Sequence, residues 1–382
     1  MCLHKSFSRK YLQNNQNDVY NITIIGINEY RNIKFSFDPS NPQTLESFLE
    51  VFSMSTGVGL LSGGLDSILA ICVLREQNIR IEAVAFITPF FGPGNAQKAV
   101  KMLNVPLHVV DITDVHLQML KKPKHGYGRG MNPCIDCHAL MFREAGKLMQ
   151  QWGADFLFSG EVLGERPMSQ NKQSLRVVAR DSGFEEYIIR PLSAKLLPIT
   201  RPEQEGKVDR EQLLDIQGRS RKRQMELAKQ YGITEYPEPA GGCRLTEPNF
   251  SKRLKDLMTH HAVFSVRDIE LLKVGRHLRL AEQVKCIVGR NELDNSKIEE
   301  LRQKGDTLLK TEEMAGPVVL IPAGSAETSL NRELLLRAAS ICARYSDAPQ
   351  GTMVEVSVYQ DEKSTKITTA GCSDDETAQI II

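Results

Sequence analysis

The sequence predicts an α/β domain with a mainly parallel sheet flanked by helices, followed by a smaller α+β domain. Three observations predict it. Between Gly57 and Ser159, short apolar runs alternate with segments whose apolar residues recur at helical spacing. The first apolar run passes through a Gly-rich turn, Ser62-Gly63-Gly64-Leu65-Asp66-Ser67, into a helix-like segment. After about Leu257 this alternation stops, and strand-like runs gather toward the C-terminus.

The elements follow in order. Residues 1–53 are rich in Asn and Gln and hold one strand-like run, Tyr20–Ile25. They read as an N-terminal extension, or as sequence upstream of a natural start at Met54. Residues 57–61 read as a short buried strand, and 67–77 (SILAICVLREQ) as a helix. Arg80–Ile87 and Leu107–Asp111 are strand-like, with helical spacing over 96–103 between them. Residues 137–152 read as a helix, 154–159 as a strand and 186–192 as a further strand. Residues 210–231 look helical and locally basic, and the first domain is drawn at 54–258. In 259–382, residues 261–279 mix helix and strand signals. Residues 285–289 and 317–322 read as strands, 331–344 as a helix, and 353–358 with 366–369 as a closing strand pair.

Composition bounds the function. The 382 residues are 41% hydrophobic and 25% charged with a net charge of +1, so whole-chain charge does not point to nucleic acid. No run approaches the ~18 apolar residues of a membrane span, and no apolar stretch follows the basic residues at the N-terminus. The eight cysteines then point to a reducing cytoplasm, where close-set thiols suggest metal or redox chemistry.

In the Gly-rich turn, Gly63 and Gly64 let the backbone approach a phosphate closely. The following helix N-terminus offers free N–H groups, and Ser62 and Ser67 add hydroxyls. Asp66 can hold the loop or help to position Mg2+. No Walker A sequence is present. An ordinary capped strand-to-helix turn is the plain alternative. The full motif resembles that of the PP-loop ATP pyrophosphatases, of the adenine nucleotide alpha-hydrolase (HUP-like) fold. That resemblance implies ATP cleavage between the α- and β-phosphates and adenylation of a carbonyl oxygen. It also implies an adenine near residues 84–86, with Phe86, and Gly160 at the cofactor site.

Asn132-Pro133-Cys134-Ile135-Asp136-Cys137 sets two thiols at CxxC spacing just before a helix, whose N-terminus is expected to lower their pKa. Cys243 ends a second Gly-rich turn, Pro239-Ala240-Gly241-Gly242-Cys243. Three thiolates suit a [4Fe–4S] cluster with one open iron, or zinc with His138 added. Without metal, Cys137 and Cys243 suit a sulfur-carrying pair. Simple packing is the bland alternative. Joined to the phosphate loop, these motifs resemble the tRNA 2-thiouridine synthases. Ser159-Gly160-Glu161-Val162-Leu163-Gly164, with Met168-Ser169-Gln170 and Ile189-Arg190-Pro191-Leu192, resembles the 4-thiouridine synthetases. The likeness covers residues 56–258. It implies Cys134, Cys137, Cys243 and Asp66 as catalytic, and a sulfur donor such as sulfide or a cysteine-desulfurase-derived carrier. No rhodanese-like or THUMP-like segment is recognisable.

Arg129 and Tyr127 on the loop GYGRG, and Arg166 after a strand, are candidate RNA contacts. The basic run Arg219, Arg221, Lys222 and Arg223 is another, read as a helix face. For each, a solvated surface residue is the alternative. In the C-terminal region, His277-Leu278-Arg279, Gly289-Arg290-Asn291, Asn295 and Gly316-Pro317 resemble the NFACT RNA-binding domain, with Arg290 as a contact. Residues 252–310 carry 13 Lys/Arg against 9 Asp/Glu, and residues 351–382 carry 2 against 6. That asymmetry suits a basic face with an acidic tail. A dimerisation domain is the competing reading, so a homodimer is one expected assembly. The expected activity is a tRNA-uridine sulfurtransferase. Its rivals are a PP-loop ligase or amidating enzyme using ammonia, and a non-catalytic RNA-binding protein.

Overall fold

The computed structural model describes residues 54–238, 243–323 and 330–382, together with the backbone of two earlier strands. Those strands, β1 (Tyr20–Ile25) and β2 (Asn32–Phe37), pair antiparallel. The rest of the expected extension, and the turn 239–242 before Cys243, lie outside the described residues.

The first domain alternates as its sequence pattern requires. β3 (Thr56–Leu60) leads to α1 (Leu65–Arg75), β4 (Arg80–Ile87), α2 (Gly94–Leu103) and β5 (Leu107–Asp111). Then come α3 (Thr113–Lys121), α4 (Cys134–Trp152), β6 (Phe156–Ser159), α5 (Lys172–Ser182) and β7 (Ile188–Ile189). The five strands form one parallel sheet in the order β5-β4-β3-β6-β7. Period-two alternation splits the core between the two faces. Phe156 and Phe158 pack with Ile68, Leu69 and Ile81, while Leu157 packs opposite with Val58, Val84 and Phe142. From β3 the chain runs outward through β4 and β5, then returns to β6 on the other side. The switch between β3 and β6 opens a crevice at the carboxyl edge, where ligands bind in such sheets.

Beyond β7 come α6 (Arg201–Gln204), α7 (Lys222–Gln230), α8 (Pro248–His260) and α9 (Val266–Leu271). The long helix expected over 210–231 is only α7 at its end. Its first half spends its backbone donors elsewhere: Leu214 N–H bonds Pro191 O at 2.9 Å and Ile216 N–H bonds Leu192 O at 2.8 Å. The segment is thus stitched to the chain after β7 instead of to its own next turn.

The second domain contains β8 (Arg276–Ala281), β9 (Val284–Val288), α10 (Glu292–Glu300), β10 (Thr307–Thr311) and β11 (Val319–Ile321). It continues with α11 (Arg332–Arg344), β12 (Met353–Gln360), β13 (Lys363–Ala370) and α12 (Asp374–Ile380). Its six strands form an antiparallel sheet, β13-β12-β10-β11-β9-β8. Ala338, Ala339 and Cys342 of α11 pack on Leu309, Val319 and Val356. The division expected at 258/259 falls inside α8. That helix joins both sides, since Phe250, Leu254 and Leu257 pack with Phe90 and Leu120 before it and with Ile269 and Leu272 after it. Among the described residues no helix is long and apolar enough to cross a membrane.

Candidate functional site

The phosphate loop stands at the β3–β6 switch. Gly63 has φ +77°, and a Cβ there would lie 2.2 Å from the Asn95 backbone. Only glycine permits both features. Ser62 Oγ accepts from Gly64 N–H at 3.2 Å, and Ser67 Oγ donates to Gly64 O at 2.8 Å, so the two serines brace the turn. Gly160, at the exit of β6, presses on the start of α1: a Cβ there would lie 2.4 Å from Asp66 C and Ser67 N. Sequence-predicted Ser62, Gly63, Gly64, Asp66, Ser67 and Gly160 are therefore one structure. Phe86 is buried in the core with Val58, Val84 and Leu157.

Asp66 is poised beside this loop. Burial raises its carboxyl, with Arg221, Gln224 and Arg166 pulling it back. Its Oδ1 is buried without a hydrogen-bond partner, as are Arg221 Nε and both amide atoms of the fully buried Gln224. Buried polar atoms are rarely left unpaired, and a magnesium ion with its waters and phosphates supplies partners of the right charge for these.

An open cleft of about 810 Å³ adjoins the loop, lined by Arg129, Glu165, Arg166, Pro167, Met168 and Arg219. Three arginines singled out from distant segments thus share one wall. The fold brings them together by backbone ties. Gly218 N–H bonds Leu163 O at 2.7 Å, and Arg166 N–H bonds Gln170 Oε1 at 3.1 Å. Tyr127 fixes the Arg129 loop, donating its hydroxyl to Leu120 O at 2.6 Å, so its role here is anchoring. The basic run 219–223 is not one helix face. Arg219 lines the cleft, Arg221 faces Asp66, Lys222 is exposed at the start of α7, and Arg223 pairs with Asp215 at 2.7 Å.

The thiols form the third part. Cys134 and Cys137 lie in the first turn of α4, and Cys243 is near enough to shift Cys137. At Cys137 the expectation that the helix end lowers the thiol pKa is overturned. Burial pushes the Cys137 thiol well up, with Cys243 and Cys134 adding to it, and burial takes Cys243 to about 11. Desolvation here outweighs the helix dipole. Cys137 Sγ lies 3.4 Å from Nε2 of His116, which burial brings down to about 4 and so keeps neutral. Asn132 Nδ2 donates to Cys134 Sγ at 3.3 Å. Asp136 accepts the backbone N–H groups of Lys124 and His125 at 3.0 and 2.9 Å and anchors that loop. His138, the nitrogen ligand of the zinc alternative, turns Nδ1 to Glu161 at 2.8 Å. Among the described residues no three His, Cys, Asp or Glu side chains are arranged to hold a single ion. The all-sulfur donor set suits an iron–sulfur cluster in kind.

Glu161 and Arg190 form a buried pair at 2.8 Å behind the site. Burial alone would raise Glu161, but Arg190 and the His138 hydrogen bond bring it down to about 2. Arg166 links the parts: its charge reaches Asp66, Glu165 and Cys243. Arg290, expected to touch RNA, is tied to Asp294 at 2.6 Å. Asn295 holds β11 to α10, accepting Val318 N–H at 2.9 Å. These second-domain motif residues therefore build the fold. Sequence reasoning missed Glu165, Gln224 and His116, because isolated charged or polar residues carry no spacing signal.

Residues 52–195 match the family model described as thiamine biosynthesis protein (ThiI). Residues 275–380 match the NFACT protein RNA binding domain. The chain is 30% identical over 114 residues to "tRNA-specific 2-thiouridylase MnmA" of Sulfurimonas denitrificans, covering 27% of this chain and 33% of that protein. It is 31% identical over 158 residues to "Probable tRNA sulfurtransferase" of Lysinibacillus sphaericus, covering 38% and 37%. It is 27% identical over 195 residues to "Probable tRNA sulfurtransferase" of Caldanaerobacter subterraneus, covering 41% and 50%. The chain therefore spans between a third and a half of the length of these relatives. Among solved structures, a 4-thiouridine synthetase–RNA complex with bound ATP aligns at 21% identity and TM-score 0.34, over 57% of this chain and 52% of that one.

Proposed function

We propose that this chain is an ATP-dependent tRNA sulfurtransferase that activates a uridine carbonyl as its adenylate and exchanges the oxygen for sulfur. One observation carries the reading. Arg166 lines the cleft, and its own segment after β6 touches both centres: Gly160 presses on Asp66 and Ser67 of the phosphate loop, and Glu161 bonds His138 on the CxxC helix at 2.8 Å. An acceptor in that cleft meets both halves of the chemistry. The loop donors at Ser62, Gly64 and Ser67 and the α1 N-terminus would hold the leaving pyrophosphate. Asp66, with its free Oδ1, fits a magnesium ion carried with ATP. Arg129, Arg166 and Arg219 would take RNA phosphates, and the second domain would add the RNA affinity its family match implies.

Cys134, Cys137 and Cys243 would hold a [4Fe–4S] cluster, which supplies an open iron position for a sulfur atom when bound. No thiol site is needed by an ammonia-using ligase. The test compares tRNA nucleosides by mass spectrometry with and without the gene, alongside iron and sulfide analysis of anaerobically purified protein. Loss of one thiolated nucleoside, with iron present, is the expected result. An unchanged nucleoside profile refutes the activity, and zinc at full occupancy without iron refutes the cluster.

A further inference from the structure

Glu165 is the one carboxyl lining the cleft, and no motif accounts for it. Other charges near the site are spoken for: Arg190 by Glu161, Arg223 by Asp215, Asp181 by Lys124 and His125. The Glu165 carboxylate makes no hydrogen bond or ion pair among the described residues, and neither do the guanidinium groups of Arg129, Arg166 and Arg219. A half-buried, unpaired carboxyl ringed by arginines is arranged for a partner that arrives from outside.

Position indicates the partner. Glu165 follows β6, the strand next to β3, and Gly160 of the same segment presses on Asp66 and Ser67 of the phosphate loop. An acceptor held in this cleft is therefore on the β6 side of the loop. Met168, 76% exposed at the same wall, offers a soft apolar edge to a flat ring. A carboxylate accepts from a ring N–H. Uracil has one, between its two carbonyls, whereas cytosine presents a bare acceptor there.

Resting on the proposed adenylating activity, we infer that Glu165 is a catalytic base that reads and removes the uracil ring N–H proton in this cleft. The step balances. The N–H electron pair becomes a ring C=N bond, and the carbonyl π pair moves onto oxygen. That oxygen forms a bond to the α-phosphorus, the bond from the α-phosphorus to the bridging oxygen breaks, and pyrophosphate leaves. The proton rests on Glu165 and passes to solvent. Because the N–H lies between both carbonyls, the role holds whichever of them is activated.

The environment suits a base. Burial and the neighbouring Asp66 raise the Glu165 carboxyl, while Arg221 and Arg166 oppose them; Arg129 and Arg219 are the other charged groups of the cleft. A base acts deprotonated, so the rate rises with pH through an acid limb above the ordinary glutamate value of about 4.3.

The experiment measures tRNA-dependent pyrophosphate release by the full chain, with ATP and bulk tRNA from cells lacking thiolated nucleosides, over a range of pH. E165Q is expected to lose about 10²- to 10⁴-fold in rate and to lose the acid limb. ATP-induced thermal stabilisation should stay as in the unmodified protein. E165D, which keeps a carboxylate, should recover part of the rate together with the limb. If the unmodified protein releases no pyrophosphate with tRNA, the proposed function fails and this role falls with it. If it does, and E165Q keeps both rate and acid limb, only the role of Glu165 is overturned.

Discussion

Replacing Gly160 by alanine tests whether the phosphate loop depends on the close approach of β6. A Cβ at this position would sit 2.4 Å from Asp66 C and Ser67 N and 2.5 Å from Asp66 O, against 3.4–4 Å for ordinary contact. All three atoms are backbone, so no side chain can rotate aside. The loop or the strand exit must move by about 1 Å. Overpacking of this kind costs about 1–3 kcal/mol. At roughly 2–4 °C per kcal/mol for a domain of this size, the melting temperature should fall by about 2–12 °C. A displacement of about 1 Å at a reacting centre lowers the rate by about 10²-fold. Gly94→Ala is the matched control, because nothing lies within 4 Å of its added Cβ. Thermal melts, ATP titration and pyrophosphate release give the three readouts. A G160A protein that melts, binds ATP and releases pyrophosphate like the unmodified chain would refute the reasoning.

Other predictions address the remaining parts. Cys243→Ser should remove iron and thiolation while leaving tRNA-dependent pyrophosphate release in place, because in the proposed reaction the thiol acts after adenylation; iron analysis and nucleoside mass spectrometry check this. Arg129→Ala and Arg219→Ala should each lower the slope of log affinity against log salt by about 1 in tRNA titrations. Arg223→Ala, already paired with Asp215, should leave it nearly unchanged. Arg190→Ala strands a buried Glu161 and should cost about 3–5 kcal/mol by denaturant melt. The pH dependence has a definite sign. Glu161 is depressed to about 2 in the folded chain, so its stabilising contribution is present above the unfolded value near 4.3. That contribution fades as pH falls from there toward 2, and E161Q should flatten this part of the stability profile.

Much of the fold was legible in the sequence because local pattern and tertiary position agree there. Arg80–Ile87 and Leu107–Asp111 were read to the residue, since their apolar runs are short and bounded. Helix 172–182 escaped notice because its buried apolar stripe is short, only Leu175, Val178 and Ala179. The helix expected over 210–231 failed for a non-local reason, as the acceptors of its amides lie at Leu163, Pro191 and Leu192 and the donors to its carbonyls at Ser193 and Lys195. The candidate site divides the same way. Ser62 to Ser67 form a contiguous motif and are visible at once. Arg129 and Arg166 were visible only as single cations and Arg219 only within a basic run, and nothing in spacing announces that the fold places all three on one cleft. The reversed pKa shift at Cys137 has the same origin: the helix end is local, but the burial that overrides it comes from tertiary packing.

The switch between β3 and β6 also explains why one small sheet can host two opposed environments. A phosphate loop needs exposed N–H groups and room for a metal ion, so Ser62 is exposed and Asp66 keeps an unpaired oxygen. A thiol centre needs shelter from water and stray oxidants, so Cys137 is buried beside a neutral His116. Were both on one connection, the loop's solvent would reach the thiols. Here the loop belongs to the β3–α1 connection and the CxxC to the first turn of α4, which packs over β3 and β6 from its own side. The segment after β6, Gly160 to Gln170, touches both, through Gly160 at the loop and Glu161 at His138 of α4. It carries the glycine that lets the loop close, the arginine that senses both centres and the carboxyl that faces the cleft. Selectivity for the acceptor should therefore reside in this segment, and exchanging Glu165-Arg166-Pro167-Met168 should change which base is accepted before it changes ATP affinity.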